Sequence, residues 1–173
     1  MIRNATEADL PAIVDIYNVS IPSRMSTADL GPVSVEQRRP WFRAHHEQRP
    51  IWVMDRDGVV AGWLSIETFY GRAAYHRTAE VSVYIAPLQQ RRGLGRELLT
   101  EAVRVSPGLG LASLVAFVFG HNEPSLRLFE GCGFARWGNL PRVADMDGVE
   151  RDLCILGLRV GRLRVGGLRV ADK

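Results

Sequence analysis

Apolar and polar positions alternate over Val81-Ser82-Val83-Tyr84-Ile85, the period-two pattern of a strand with two unlike faces. Pro87 stops it, because proline cannot donate to a strand ladder. Beyond Gly95 the apolar residues Leu98, Leu99, Ala102 and Val103 recur at helical spacing. The chain between them is therefore a loop that opens onto a helix N-terminus. Such an end has unpaired N–H groups and a partial positive charge, which suit a phosphate or pyrophosphate.

The remaining elements follow from the same kind of pattern. Ile2-Arg3 reads as a short strand running into a helix capped at Thr6, with Glu7 and Asp9 in the first turn and Ile13, Ile16 and Tyr17 as its buried stripe. Residues 20–33, broken by Pro22, Gly31 and Pro32, form a loop that is placed to roof a pocket. A second helix starts near Ser34. Two apolar runs, Ile51–Met54 and Val59–Ile66, flank a turn ending in Asp57-Gly58, which is a hairpin signal. Leu114–Phe119 is a continuous apolar run suited to a strand buried on both faces. A helix from Leu126 to Gly131 follows, the segment from Gly133 to Asp145 turns back, and Asp152–Leu158 reads as the final strand. The predicted order is β-α-α-β-β-β-α-β-α-β, an α/β chain with one mixed central sheet flanked by helices.

At 173 residues the chain has room for one core, predicted here over residues 1–158, with residues 159–173 a basic tail that repeats Leu-Arg-Val every five residues. Net charge is +3, and Lys173 is the only lysine. That excludes chemistry needing an interior ammonium, such as Schiff-base formation or Walker-type phosphate binding. The arginines are interleaved with acids, so nucleic-acid binding is not the expectation, although the tail leaves it as a third reading. Cys132 and Cys154 lack metal or redox spacing, so no metal is expected. No apolar run approaches membrane-spanning length and no export signal is visible, which makes a cytoplasmic location the expectation.

The loop itself excludes two nucleotide sites. Arg96-Glu97 follows Gly95 where a Walker loop needs Lys-Ser/Thr, and Leu98 stands where a dinucleotide fingerprint needs its third glycine. What remains is Gln90-Arg91-Arg92-Gly93-Leu94-Gly95 after a strand ending in Pro87. On its own this also fits an ordinary strand-to-helix turn. It resembles the Gln/Arg-x-x-Gly-x-Gly/Ala loop of the GNAT superfamily of acetyl-CoA-dependent N-acetyltransferases. Two flanking segments, Arg72-x-x-Tyr75-x-x-Thr78-x-Glu80-x-x-Val83-Tyr84 and Gly120-x-Asn122-x-Pro124-Ser125-x-Arg127, are similar to the phosphinothricin acetyltransferase branch.

The resemblance implies a GNAT fold and transfer of an acetyl group from acetyl-CoA to the primary amine of a small molecule, by direct attack in a ternary complex without metal. It implies Glu80 as general base. It also implies a coenzyme site made of Val83, Tyr84, Ile85, Gln90, Arg91, Arg92, Gly93, Leu94, Gly95, Arg96, Asn122 and Ser125, with Arg72 and Tyr75 recognising the substrate and a homodimer as the assembly. The residue types suit this reaction, since an amine with a pKa near 10 must lose a proton before it attacks. Backbone N–H groups near Tyr84 or Ile85 would meet the resulting oxyanion. The competing readings are a surface carboxylate at Glu80 paired with Arg77 or Arg92, and a solvated Arg72 beside a packing Tyr75.

The sequence departs from the family in two places. Phe129 stands where many GNAT enzymes have a tyrosine that protonates the departing thiolate, leaving Ser125 or a water to serve. It is also the best argument for the alternative function, a module that binds acyl-CoA without catalysis. Near the last strand, Asp147 and Glu150 replace a pocket histidine and tryptophan. These acids predict a more acidic pocket, disfavouring phosphinothricin and favouring a substrate with an extra cationic group.

Overall fold

The computed structural model describes residues 1–161, so the Leu-Arg-Val tail from Arg162 onward lies outside the described residues. Seven strands form one sheet: β1 (Ile2–Asn4), β2 (Ile51–Arg56), β3 (Val59–Thr68), β4 (Thr78–Ile85), β5 (Ser113–Phe119), β6 (Ala135–Met146) and β7 (Val149–Arg159). Their spatial order is β1-β2-β3-β4-β5-β7-β6. Neighbours run antiparallel except β4 and β5, which are parallel and joined through α3 (Leu94–Val105). The other helices are α1 (Leu10–Ser20), α2 (Val35–Arg43) and α4 (Glu123–Glu130).

The predicted elements appear in the predicted order with one correction. The segment after Gly133 does not merely turn back: Ala135–Met146 is a twelve-residue strand, β6, paired with β7 and interrupted by two register shifts.

Two cores sit on opposite faces of the sheet. Leu94, Leu98, Leu99 and Ala102 of α3, with Leu126 and Phe129 of α4, bury one face against Ala79, Val81, Leu114 and Leu156. Ile13, Ile16 and Tyr17 of α1 cover the other face against Val53 and Trp63, with Trp41 and Phe42 of α2 packed on them. Near the chain start, Arg3 grips Asp9 through two hydrogen bonds of 2.8 Å each, and the Asp9 carboxylate also accepts from the Thr6 N–H. The Arg3 guanidinium holds the Asp9 carboxyl down at about 2.

The functional space arises where the sheet comes apart. β4 and β5 pair only from Thr78–Ser113 to Glu80–Val115. Beyond that point β4 stays with β3 as far as Ile85, and β5 stays with β7 as far as Phe119. Residues 81–85 therefore have a backbone edge with no strand partner on the β5 side.

Candidate active site

The edge of β4 leads into the glycine loop. Arg91 and Gly93 both adopt left-handed backbone conformations, at φ 60° and 81°. Such turns point successive N–H groups into one concavity. Gly93 is the N-cap of α3 and supplies no capping side chain, so the first amides of the helix face outward without a side-chain acceptor.

The two glycines serve different ends. A Cβ on Gly93 would meet nothing within 4 Å, so that position needs glycine for its backbone angle. A Cβ on Gly95 would come within 3.2 Å of Leu128 Cδ2, so that glycine lets α3 approach α4.

Around this loop lies a groove of about 540 Å³, running from the α3 N-terminus along residues 83–85 to Asn122 and Ser125. Every residue expected at the coenzyme lines it except Arg92, whose Nη1 turns to donate to Gln89 Oε1 at 3.2 Å. Gln90 Nε2 donates back to the Ile85 carbonyl at 3.3 Å, and Arg96 Nη2 ties α3 to the end of α4 through the Gly131 carbonyl at 3.0 Å. Asn122 is buried and mainly structural: its Oδ1 caps α4 by accepting from the Ser125 N–H, and its Nδ2 donates to the Met25 carbonyl.

A second cavity of about 430 Å³ joins the groove at the splay and is lined by Glu80, Ser82, Phe117, Phe119 and Phe129, among others. Met25, Ser26, Val83, Tyr84, Asn122 and Ser125 belong to both spaces. The roof over their junction is the loop after α1, as its composition predicts. It is pinned by the Tyr84 hydroxyl donating to the Ser26 carbonyl at 3.0 Å, by Asn122, and by His121 Nε2 at 2.8 Å from the Arg24 carbonyl. The Tyr84 ring stacks on Trp63 at 4.6 Å, and burial pushes its phenol pKa up.

Glu80 is half-buried in the lining of the second cavity and makes no ion pair with Arg77 or Arg92, so the surface-carboxylate alternative does not describe it. Burial first, and then the nearby charge of Glu67, raises its pKa to about 7. A carboxyl so tuned exchanges protons near neutrality. Phe129 is only 3% exposed and packs edge-on against Phe134 at 5.0 Å, so the position carries core packing and no proton donor.

Other expected residues lie elsewhere. Arg72 lines a separate depression of about 410 Å³ with Arg49, His46 and His76, away from Glu80. Tyr75 is exposed in the same loop and touches the Glu80 cavity only indirectly, through Phe69, which stacks on Phe117. The expected acidic pocket is corrected as well. Asp147 sits in the β6–β7 turn and pairs with Arg24 at 2.7 Å, Glu150 is exposed near Arg142, and neither lines the cavity. The residue that sequence reasoning missed is Glu67, which the β3–β4 register places opposite Glu80.

Comparison with known proteins agrees with this geometry. Residues 12–134 match the model of the Acetyltransferase (GNAT) family. YwnH of Bacillus subtilis (strain 168), provisionally named a phosphinothricin acetyltransferase, is 55% identical over 157 residues, covering 90% of this chain and 96% of its own. The L-amino acid N-acyltransferase MnaT of Escherichia coli (strain K12) is 31% identical, covering 92% and 93%. Among solved structures, a GNAT superfamily phosphinothricin acetyltransferase from Sinorhizobium meliloti in complex with AcCoA superposes with a TM-score of 0.88 at 28% identity, covering 93% of this chain and 88% of that one. The splayed strands, the glycine loop at a helix N-terminus and this agreement in sequence and shape together make the chain a member of the GNAT acetyltransferase family.

Proposed function

We propose that this protein acetylates the primary amine of a small amino-acid-like molecule, with acetyl-CoA as donor and Glu80 as general base. Acetyl-CoA supplies the acetyl group as a thioester. The observation that carries the reading is that Glu80 lines the second cavity, which shares Val83, Tyr84, Asn122 and Ser125 with the groove. The amides of the α3 N-terminus bind the diphosphate, and the unpaired edge of residues 83–85 aligns the pantetheine arm with the reacting centre.

Glu80 accepts the ammonium proton. An ordinary carboxyl near 4.3 faces an alkylammonium near 10 with a mismatch of about six powers of ten. At about 7, Glu80 halves that mismatch on the logarithmic scale. With Phe129 unable to donate, Ser125, which borders both spaces, or a water offers a hydrogen bond to the departing thiolate. The alcohol, amide and aromatic lining of the cavity, together with the names of the relatives, supports amino-acid-like acceptors over large ones.

The assembly that fits this reading is a homodimer, for which the exposed apolar side chains Trp137, Leu140 and Val143 on edge strand β6 are the support. The function is tested by following thiol release from acetyl-CoA with phosphinothricin, L-methionine and a diamine as acceptors. Turnover of at least one of the two amino acids, with the diamine poorer, is expected. Binding of acetyl-CoA without turnover of any amine would replace the enzyme by a binding module.

A further inference from the structure

Strands β3 and β4 pair in a register that sets Glu67 directly across from Glu80. Side chains in that relation have Cβ atoms about 5 Å apart, and like charges there repel. A neutral residue at position 67 would remove the repulsion. Instead the Glu67 carboxylate is held in place, with Oε1 accepting from the Ser65 hydroxyl at 3.0 Å, and Ser65 is itself fully buried. Among the described residues no arginine forms an ion pair with either carboxylate.

The other titratable groups on this side do not cancel the charge. They are Tyr84 on β4, Tyr17 on α1, Asp29 in the roof loop, Arg38 on α2, and His45 with His46 just after α2. Arg38 lies over the Tyr17 and Trp41 rings. His45 places Nδ1 at 2.8 Å from the Trp41 carbonyl, while its buried Nε2 has no partner among the described residues. Burial pushes this imidazole below its ordinary value even though Glu67 pulls it upward. A neutral His45 leaves the Glu67 charge uncompensated.

We propose that Glu67 is a positioning residue for acetyl transfer, its carboxylate held across the strand pair setting the charge environment in which Glu80 takes up the amine's proton. This rests on Glu80 being the base. The contribution of Glu67 is the smaller one, because desolvation is the first cause of the Glu80 perturbation. Removing the charge should therefore move the Glu80 titration down by about one pH unit, the order expected for one like charge at this separation between water and protein interior.

The test compares wild type, Glu67→Gln and Glu67→Asp by two readouts. Carboxyl-carbon NMR of side-chain-labelled glutamate in substrate-free protein, with Glu80→Gln assigning the resonance, follows Glu80 itself. The pH profile of kcat/KM follows its use. The expectation is that Glu67→Gln lowers the Glu80 midpoint and carries the acidic limb of the profile down with it, while Glu67→Asp returns both toward wild type. An unmoved NMR midpoint in Glu67→Gln would overturn the proposal whatever the kinetics. A moved midpoint with an unmoved acidic limb would overturn the role in transfer while leaving the pairing intact. Full activity of Glu80→Gln would locate the failure in the base assignment.

Discussion

Along β4, the odd-numbered Ala79, Val81, Val83 and Ile85 pack against the α3 and α4 core, whereas Tyr84 packs with α1 and Glu80 faces Glu67 across the strands. The face under α3 and α4 is apolar. The opposite face carries, within five residues, a carboxyl raised to about 7 and a half-buried phenol. A strand's two-residue period separates these tasks without any change of backbone. One face can be altered at a cost in stability and the other at a cost in chemistry, and the predictions below ask how cleanly the two separate.

The largest effect expected is on the polar face. Glu80→Gln keeps the shape and removes the base, so kcat should fall by about 10²–10⁴, with thermal unfolding no lower than wild type at neutral pH. A comparable loss in an Ala79 variant, after correction for folded protein, would break the separation. Next in size is the apolar face. Leu98 is fully buried, and Leu98→Ala should cost about 2–5 kcal/mol in denaturant unfolding, with kcat per folded molecule preserved.

The smallest effect distinguishes two carboxyls by sign. Glu80 has its pKa raised in the folded state, so the unfolded chain loses this proton first, and stability declines as pH rises from the ordinary carboxylate range to about 7. The Tm advantage of Glu80→Gln over wild type should therefore widen between pH 5 and pH 8. Asp9 behaves oppositely. Its pKa is held at about 2 by Arg3, and its contribution is present above the unfolded value and lost as pH falls toward 2. Acid unfolding monitored in Asp9→Asn should accordingly lose part of its pH dependence below about pH 4, and an unchanged acid transition would show that the clamp is not a stabilising contact.

Much of this was legible in the residues because the signals were local. The alternation over residues 81–85, the proline stop and the glycine loop lie within one stretch of chain, and they fixed the strand, the helix start and most of the groove. Strand β6 was not legible. Its residues are mostly exposed on both faces, include Pro141, and are broken by two register shifts, so no period-two apolar pattern survives. Glu67 was hidden for another reason: its partnership with Glu80 depends on the β3–β4 register across a nine-residue connection that local pattern does not specify. The acidity assigned to the pocket failed because Asp147 and Glu150 were placed by resemblance to the family's run before the last strand, whereas the β6–β7 turn projects Asp147 toward Arg24 and Glu150 stands exposed on β7.

The most direct test of the account is the pH dependence of kcat/KM for wild type beside Glu80→Gln, measured on the best amine found. Because the base must be unprotonated to act, wild-type activity should fall as pH drops through about 7, and the residual activity of Glu80→Gln should lack that limb. The same acidic limb, at the same pH, in the glutamine variant would contradict it.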